Sequence, residues 1–229
     1  NGTYSTSKPD QPVASVSFWS AARFANWLTN GQPTGTQGFG TTEAGMYNLG
    51  GVTDPTNTDI TRQLDFSAGE NGVAVASDNE WYKAAYYDGD GGFYDYPTQS
   101  DTAPTAEDPP GGDNSANYKR FSGGVTEVGA YSNSVSYYGT FDQGGNIYEW
   151  NDSILFASQR GLRGGSYYTN DDNLQSSSRI SSNPANEGFD SGFRVTSLAP
   201  IPEPSSYGTI FGIVGLAAAI FFRRKRRRG

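Results

Sequence analysis

The sequence predicts a loop-rich globular body with two short helices and several short strands, followed by one C-terminal transmembrane helix. Three observations carry this expectation. Glycine and proline supply 30 and 12 of the 229 residues without a collagen-like period, a composition that favours turns and irregular connections over long elements. Helical periodicity with capping signals occurs in only two places. An uncharged run near the C-terminus is followed at once by a cluster of cations.

The first helix is expected over residues 18–28. Ser17 precedes it, Phe18, Ala21, Ala22, Ala25 and Leu28 recur at helical spacing, and Asn30-Gly31 closes it. The second begins at Ser77-Asp78-Asn79-Glu80, a capping box in which the Ser77 hydroxyl and the Glu80 carboxylate satisfy each other's backbone N–H groups, with Trp81, Ala84 and Ala85 following. Both are short and need a tertiary partner. Strands are expected at Val73–Ala76, Val125–Tyr131, Leu162–Tyr168 and Gly192–Thr196. Long polar connections fill residues 35–62 and 88–117, lengths that in compact domains go with function or with pinning by other groups. Asp88-Gly89-Asp90 has the oxygen spacing of a calcium loop, but the twelfth position is Gln99 rather than a bidentate carboxylate, so a turn is expected there.

The charge is unevenly placed. Residues 1–201 hold 10 basic against 23 acidic groups, a balance of −13, whereas residues 202–229 hold six cations and Glu203, a balance of +5. Tyr207 to Phe222 contains no charge, and as a helix it would rise about 24 Å, a little short of a hydrocarbon core of roughly 30 Å. Snorkelling and bilayer thinning accommodate that difference. Six cations directly after it do not belong in a globular interior and fit the positive-inside rule, with residues 223–229 cytoplasmic and residues 1–200 outside.

The composition also excludes chemistry. The chain contains no Cys and no His. That removes disulfides, thiolate nucleophiles, imidazole bases, Cys-ligated zinc, haem ligation through His or Cys, and the facial iron triad. Any catalysis would run on carboxylates, hydroxyls, Lys or a hard metal ion.

Two resemblances emerge from the motifs. Ile201-Pro202-Glu203-Pro204-Ser205-Ser206, then the apolar run, then the arginine cluster, resembles the PEP-CTERM sorting signal of bacterial exosortase systems. The resemblance implies export across the inner membrane, processing near Pro202, Glu203 and Pro204 by an exosortase-type enzyme, and delivery to the cell surface or extracellular matrix. Helix 207–222 would then be a transient or permanent anchor. The chain begins at Asn1 with no signal peptide, so an exported protein is expected to have residues upstream.

The second lies in Phe141-Asp142-Gln143-Gly144-Gly145-Asn146-Ile147-Tyr148-Glu149-Trp150, followed by Arg163-Gly164-Gly165-Ser166 and Gly192-Phe193-Arg194-Val195. On spacing alone, Asp142 and Glu149 with intervening carbonyls suit a hard cation, or are ordinary carboxylates beside a turn. Together with Pro12-Val13, Phe18–Leu28 and Ala76–Ala85, these motifs resemble the formylglycine-generating, or sulfatase-modifying-factor, domain family over about residues 11–196. The resemblance implies an irregular, loop-rich α+β fold related to C-type lectin-like modules, with its N-terminal part missing here. It also implies Ca²⁺ held by Asp142, Gly145, Ile147 and Glu149, and a second, weaker match at Asn117 and Tyr118, where the downstream acidic loop is shortened.

The family's oxidases bind copper through a cysteine pair after Gly-Gly-Ser, and iron-using relatives need histidines. The matching stretch here, Ser166 to Leu174, has neither. Neither copper nor haem is therefore expected. The domain organisation follows as a sulfatase-modifying-factor-like domain at 1–198, a linker with the sorting motif at 199–206, the membrane helix at 207–222 and the basic tail at 223–229. Three functions stay open: a non-catalytic surface or matrix module, an enzyme acting on a protein or small molecule, and a carbohydrate-binding module using some of the 32 aromatic residues. The expected partners are an exosortase-type enzyme, the inner membrane and an extracellular polysaccharide, but not nucleic acid. Arg163, Arg179 and Arg194 are expected to tie loops together by forking carboxylates and carbonyls.

Overall fold

Helix α1 (Phe18–Thr29) starts where Ser17, in extended conformation, accepts the Ser20 N–H through its hydroxyl. It buries Phe18, Trp19, Ala21, Ala22, Ala25 and Asn26. Asn26 is polar yet fully buried because its amide works as a backbone surrogate, donating to the Thr42 and Tyr47 carbonyls and accepting the Tyr47 N–H. The computed structural model describes residues 8–51 and 60–198. The sorting motif, the apolar run and the basic tail lie outside the described residues. Among the described residues, no helix is long and apolar enough to cross a membrane.

Strand β1 (Val73–Val75) leads into α2 (Asp78–Tyr86), whose capping box is complete: Ser77 accepts the Glu80 N–H and Glu80 accepts the Ser77 N–H. After a short parallel pair, β2 (Thr105–Ala106) and β3 (Ser115–Ala116), the chain enters the main sheet. This sheet contains β4 (Tyr148–Phe156), β5 (Gln159–Arg163), β6 (Ile180–Ser182) and β7 (Ser191–Phe193), in the order β6-β5-β4-β7. The β4–β5 and β5–β6 pairs are antiparallel, and β7 runs parallel to β4. Strand β8 (Val195–Ser197) pairs antiparallel with β1. Phe18 and Trp19 meet Trp150, Leu162, Tyr47 and Val75 in the principal core, so α1 packs across β1 and the start of β4.

Two strand expectations fail for a visible reason. Val125–Tyr131 is not a strand, because its backbone partner is a side chain: Asn146 accepts the Thr126 N–H through Oδ1 at 2.9 Å and donates to the Thr126 carbonyl through Nδ2 at 3.2 Å. Leu162–Tyr168 stops as a strand at Arg163, where Gly164 and Gly165 take positive φ of 91° and 72°. The expected strand at 192–196 is two strands, β7 and β8, joined through Arg194. The Asp88 loop is the expected turn, with Asp88 Oδ1 accepting the Asp90 and Gly92 N–H groups.

Candidate functional site

The segment entering β4 is held from four sides. Gly145 N–H donates to the Gly164 carbonyl, Asn146 N–H to the Asn117 carbonyl, Tyr167 N–H to the Asn146 carbonyl and Tyr148 N–H to the Asp190 carbonyl, at 2.8–2.9 Å. Asp142 and Asn146 both sit in left-handed conformation, with φ of 56° and 63°, a region that Asp and Asn enter more readily than most residues. The chain therefore turns tightly and delivers Glu149 into the interior, 5% exposed.

Glu149 is a hub. Its Oε2 accepts Trp81 Nε1–H at 2.6 Å and Arg194 Nε–H, while its Oε1 accepts from the second arm of the Arg194 fork at 2.6 Å. Arg194 also donates to the Phe141 carbonyl at 3.1 Å. Burial pulls the Arg194 pKa down, but the Glu149 and Asp142 carboxylates outweigh it and leave the guanidinium more firmly protonated than usual. Asp142 stands in the same cleft, of about 350 Å³, with Asn146, Ile147, Phe193 and Arg194. Its Oδ2 accepts the Gly129 N–H at 2.6 Å. Burial raises its pKa, outweighing the Gly129 hydrogen bond and Arg194.

These donors fit a calcium ion only in part. Asp142, Ile147 and Glu149 share the cleft, and Asp142 brings a carboxylate that has no ion-pair partner among the described residues. Gly145, however, is not among the residues lining the cleft, and its Cα faces the Asn117 carbonyl. Glu149 is already neutralised by Arg194. At the second position, Asn117 is 1% exposed and its Oδ1 has no hydrogen-bond partner among the described residues, although its Nδ2 donates to the Gly124 carbonyl at 2.8 Å. An orphaned buried oxygen of this kind costs roughly 1–3 kcal/mol, and a cation would relieve that cost. The Tyr118 carbonyl accepts the Phe121 N–H and its hydroxyl donates to the Pro104 carbonyl. Among the described residues, no group of three or more acidic side chains is close enough to hold a metal.

Comparison with known proteins gives this arrangement a family. The model of the sulfatase-modifying factor enzyme 1-like domain matches residues 1–198, and that of the PEP-CTERM protein-sorting motif matches residues 200–227. The chain belongs to the sulfatase-modifying factor enzyme 1-like family. Its fold is similar to that of Treponema denticola variable protein 1, with 23% identity, a TM-score of 0.55, and coverage of 85% of this chain and 74% of that one. It is also similar to CarF, with 23% identity, a TM-score of 0.53, and coverage of 83% and 69%. No curated protein matches the chain in sequence.

In this sulfatase-modifying-factor domain, the stretch Ser166–Leu174 is buried at its two ends, Ser166 and Leu174, and partly exposed between them. Ser166 is fully buried and donates its hydroxyl to Asp190 Oδ2 at 2.6 Å. Thr169 Oγ1 accepts the Ser166 N–H, and a 3₁₀ turn over Asp171–Leu174 brings Leu174 into the interior. Tyr168 remains half-exposed with the Arg120 guanidinium 3.5 Å from its ring centre. Burial pushes the Tyr86 and Tyr47 pKa values up, which keeps those hydroxyls protonated.

The three arginines act as expected. Arg163 forks Asp78 at 2.6 and 3.1 Å and donates to the Ser176 and Ser178 carbonyls, and Arg179 reaches Asp78 at 2.9 Å. Sequence reasoning missed Asp78 as their shared acceptor and Trp81 as a donor to Glu149. A first-turn acid on the helix that precedes the Arg163 motif was the available signal for Asp78. For Trp81 the sequence held no sign, since its partner is 68 residues away.

Proposed function

We propose that this protein is exported, processed by an exosortase at its C-terminal motif, and displayed at the cell surface or in the matrix. Its domain there binds or builds rather than catalyses. The carrying observation is the stretch Ser166–Leu174: at the place of the family's thiols it offers a buried serine, hydrogen-bonded to Asp190 and to a partly buried Thr169, and the 229 residues contain no Cys or His. The sorting half of the proposal is supported by the motif match over residues 200–227, and membrane anchoring by the uncharged run and cationic tail. The enzymatic alternative would need its redox ligands from residues outside this sequence.

Calcium belongs to this proposal in a structural role, with Asp142 and Ile147, which both line the cleft, as donors and Asn117 Oδ1 as a separate candidate. Metal analysis of the purified protein tests the whole reading. Calcium or no metal is expected, and stoichiometric copper or iron would contradict it. A specific observation favours a second reading, a neutral glycan as the bound partner. Phe93, Tyr137 and Tyr138 are each about half exposed, and Tyr87 joins them in a continuous ring cluster, stacked 5.7 Å from Tyr138. Such rings offer large faces with polar edges to a sugar. Glycan-array binding that is lost in Tyr138→Ala would support this reading.

A further inference from the structure

The loop that follows Tyr118 is held in an uncommon backbone. Lys119 and Arg120 both take left-handed conformation, with φ of 56° and 58°, which costs a residue with a side chain roughly 1–2 kcal/mol. Two hydrogen bonds to the neighbouring loop keep it there: Lys119 N–H donates to the Thr169 carbonyl at 2.8 Å and Arg120 N–H to the Tyr167 carbonyl at 2.6 Å. Strain sustained in this way at a surface goes with side chains that are being aimed.

Arg120 is the side chain aimed. Its guanidinium lies over the Tyr168 ring, 3.5 Å from the ring centre. Tyr168 in turn meets Tyr167 and Phe189 edge to face, at 6.3 and 5.6 Å. Tyr168 is 47% and Phe189 58% exposed, and Arg120 is exposed beside them. Lys119 is already paired with Asp171 at 2.7 Å, whereas Arg120 has no ion-pair partner among the described residues.

A guanidinium stacked on a ring has one face covered and its N–H edge fixed in a plane, the geometry that takes two oxygens of a carboxylate or sulfate at once. Tyr168 and Phe189 add ring surface of the kind that packs on the C–H face of a sugar. One cluster thus serves both halves of an acidic sugar. Residues 1–201 carry a balance of −13, which repels a polyanion at a distance. At physiological salt that repulsion is screened beyond about 8 Å, so contact with the Arg120 fork decides.

We infer that Arg120, Tyr168 and Phe189 form a binding site for a sugar that bears a carboxylate or sulfate group, as the units of an acidic polysaccharide do. The site shares no residue with the ring cluster around Tyr138, and it selects a charged rather than a neutral glycan. It rests on the reading of this domain as a binding module.

Calorimetric titration of the purified protein with oligogalacturonate, and separately with a sulfated galactan oligomer, tells the two anions apart. At least one should bind, and its uncharged counterpart, the methyl ester or the desulfated oligomer, should bind at least about ten-fold more weakly. Arg120→Asn should lower the affinity at least about ten-fold, and asparagine suits the left-handed backbone. Should that variant fail to fold, Arg120→Lys keeps the charge without the fork and should bind severalfold more weakly. Phe189→Ala should also lose severalfold, while Tyr138→Ala should match wild type. Binding of neither oligomer, equal binding of charged and uncharged forms, or an unchanged affinity in the Arg120 variants overturns the site. Oligoglutamate binding as tightly as the oligosaccharides overturns the sugar. Stoichiometric copper or iron in the protein would instead contradict the non-catalytic reading, and the titrations would still decide whether this site exists.

Discussion

The Glu149 carboxylate accepts from Trp81 on α2 and from Arg194 between β7 and β8, while its own backbone lies in β4. One side chain thus joins three elements. Removing one partner of a buried ion pair strands the other, so Glu149→Gln should cost about 3 kcal/mol whether calcium or a chelator is present. Asp142→Asn separates the two roles. Asparagine keeps an acceptor for the Gly129 N–H but loses the charge a cation needs. Its melting temperature should match wild type in chelator and fail to rise with calcium, as measured by thermal unfolding under both conditions. Equal calcium responses of wild type and Asp142→Asn would remove Asp142 as a ligand. Gly145 offers a third test. With φ of 81°, and with the Asn117 carbonyl where a Cβ would go, Gly145→Ala should cost at least about 2 kcal/mol through strain and overlap. The change is read by denaturant unfolding.

At the level of elements, α2 shows how local signals and distant partners combine. Its capping box was legible because both members lie within four residues, and Ser77→Ala should cost about 1 kcal/mol. Asp78 was legible only as a first-turn acid, and not as the acceptor of Arg163, which lies 85 residues away. Burial raises the Asp78 pKa, but hydrogen bonds from Arg163 and Arg179 outweigh it and hold the carboxyl below its ordinary 3.8. Glu80 is held below 4.5 in the same way, by Arg62 and the Ser77 N–H against the cost of burial. Folding depresses both values, so their stabilisation is complete above the ordinary carboxylate range and is lost as pH falls through the depressed folded values. Thermal melts should be nearly flat from neutrality down to about pH 5 and fall steeply below about pH 4, with a shallower fall in Asp78→Asn. Asp152 works in the opposite sense: burial raises its pKa despite Arg62, so the stability its protonated form contributes is lost as pH rises through that raised value. Helices α1 and α2 were predictable from periodicity and caps. Strand β4 was not, because its Gly145-Asn146 entry reads as turn and its pairing with β5 and β7 is set by distant glycines and side chains. The Thr126 segment failed as a strand because the Asn146 amide took the place of a neighbouring strand.

The molecule as a whole divides along the line its charge suggested. All but one of the 24 acidic residues belong to a sulfatase-modifying-factor domain at 1–198, and six of the 16 cations cluster at residues 223–228, where the sorting motif matched over 200–227 ends. The family and its motifs were readable because each is a short, ordered word. The burial of Ser166 and its bond to Asp190, 24 residues on, were not readable, since no local pattern announces such packing. Non-catalytic use of the fold is the central proposal. The most direct measurement incubates the purified full-length protein with a sulfatase-type cysteine peptide, oxygen and copper, and follows aldehyde formation by mass spectrometry. The account predicts no aldehyde above the protein-free background. Turnover that scales with protein concentration and is abolished by Ser166→Ala would contradict it.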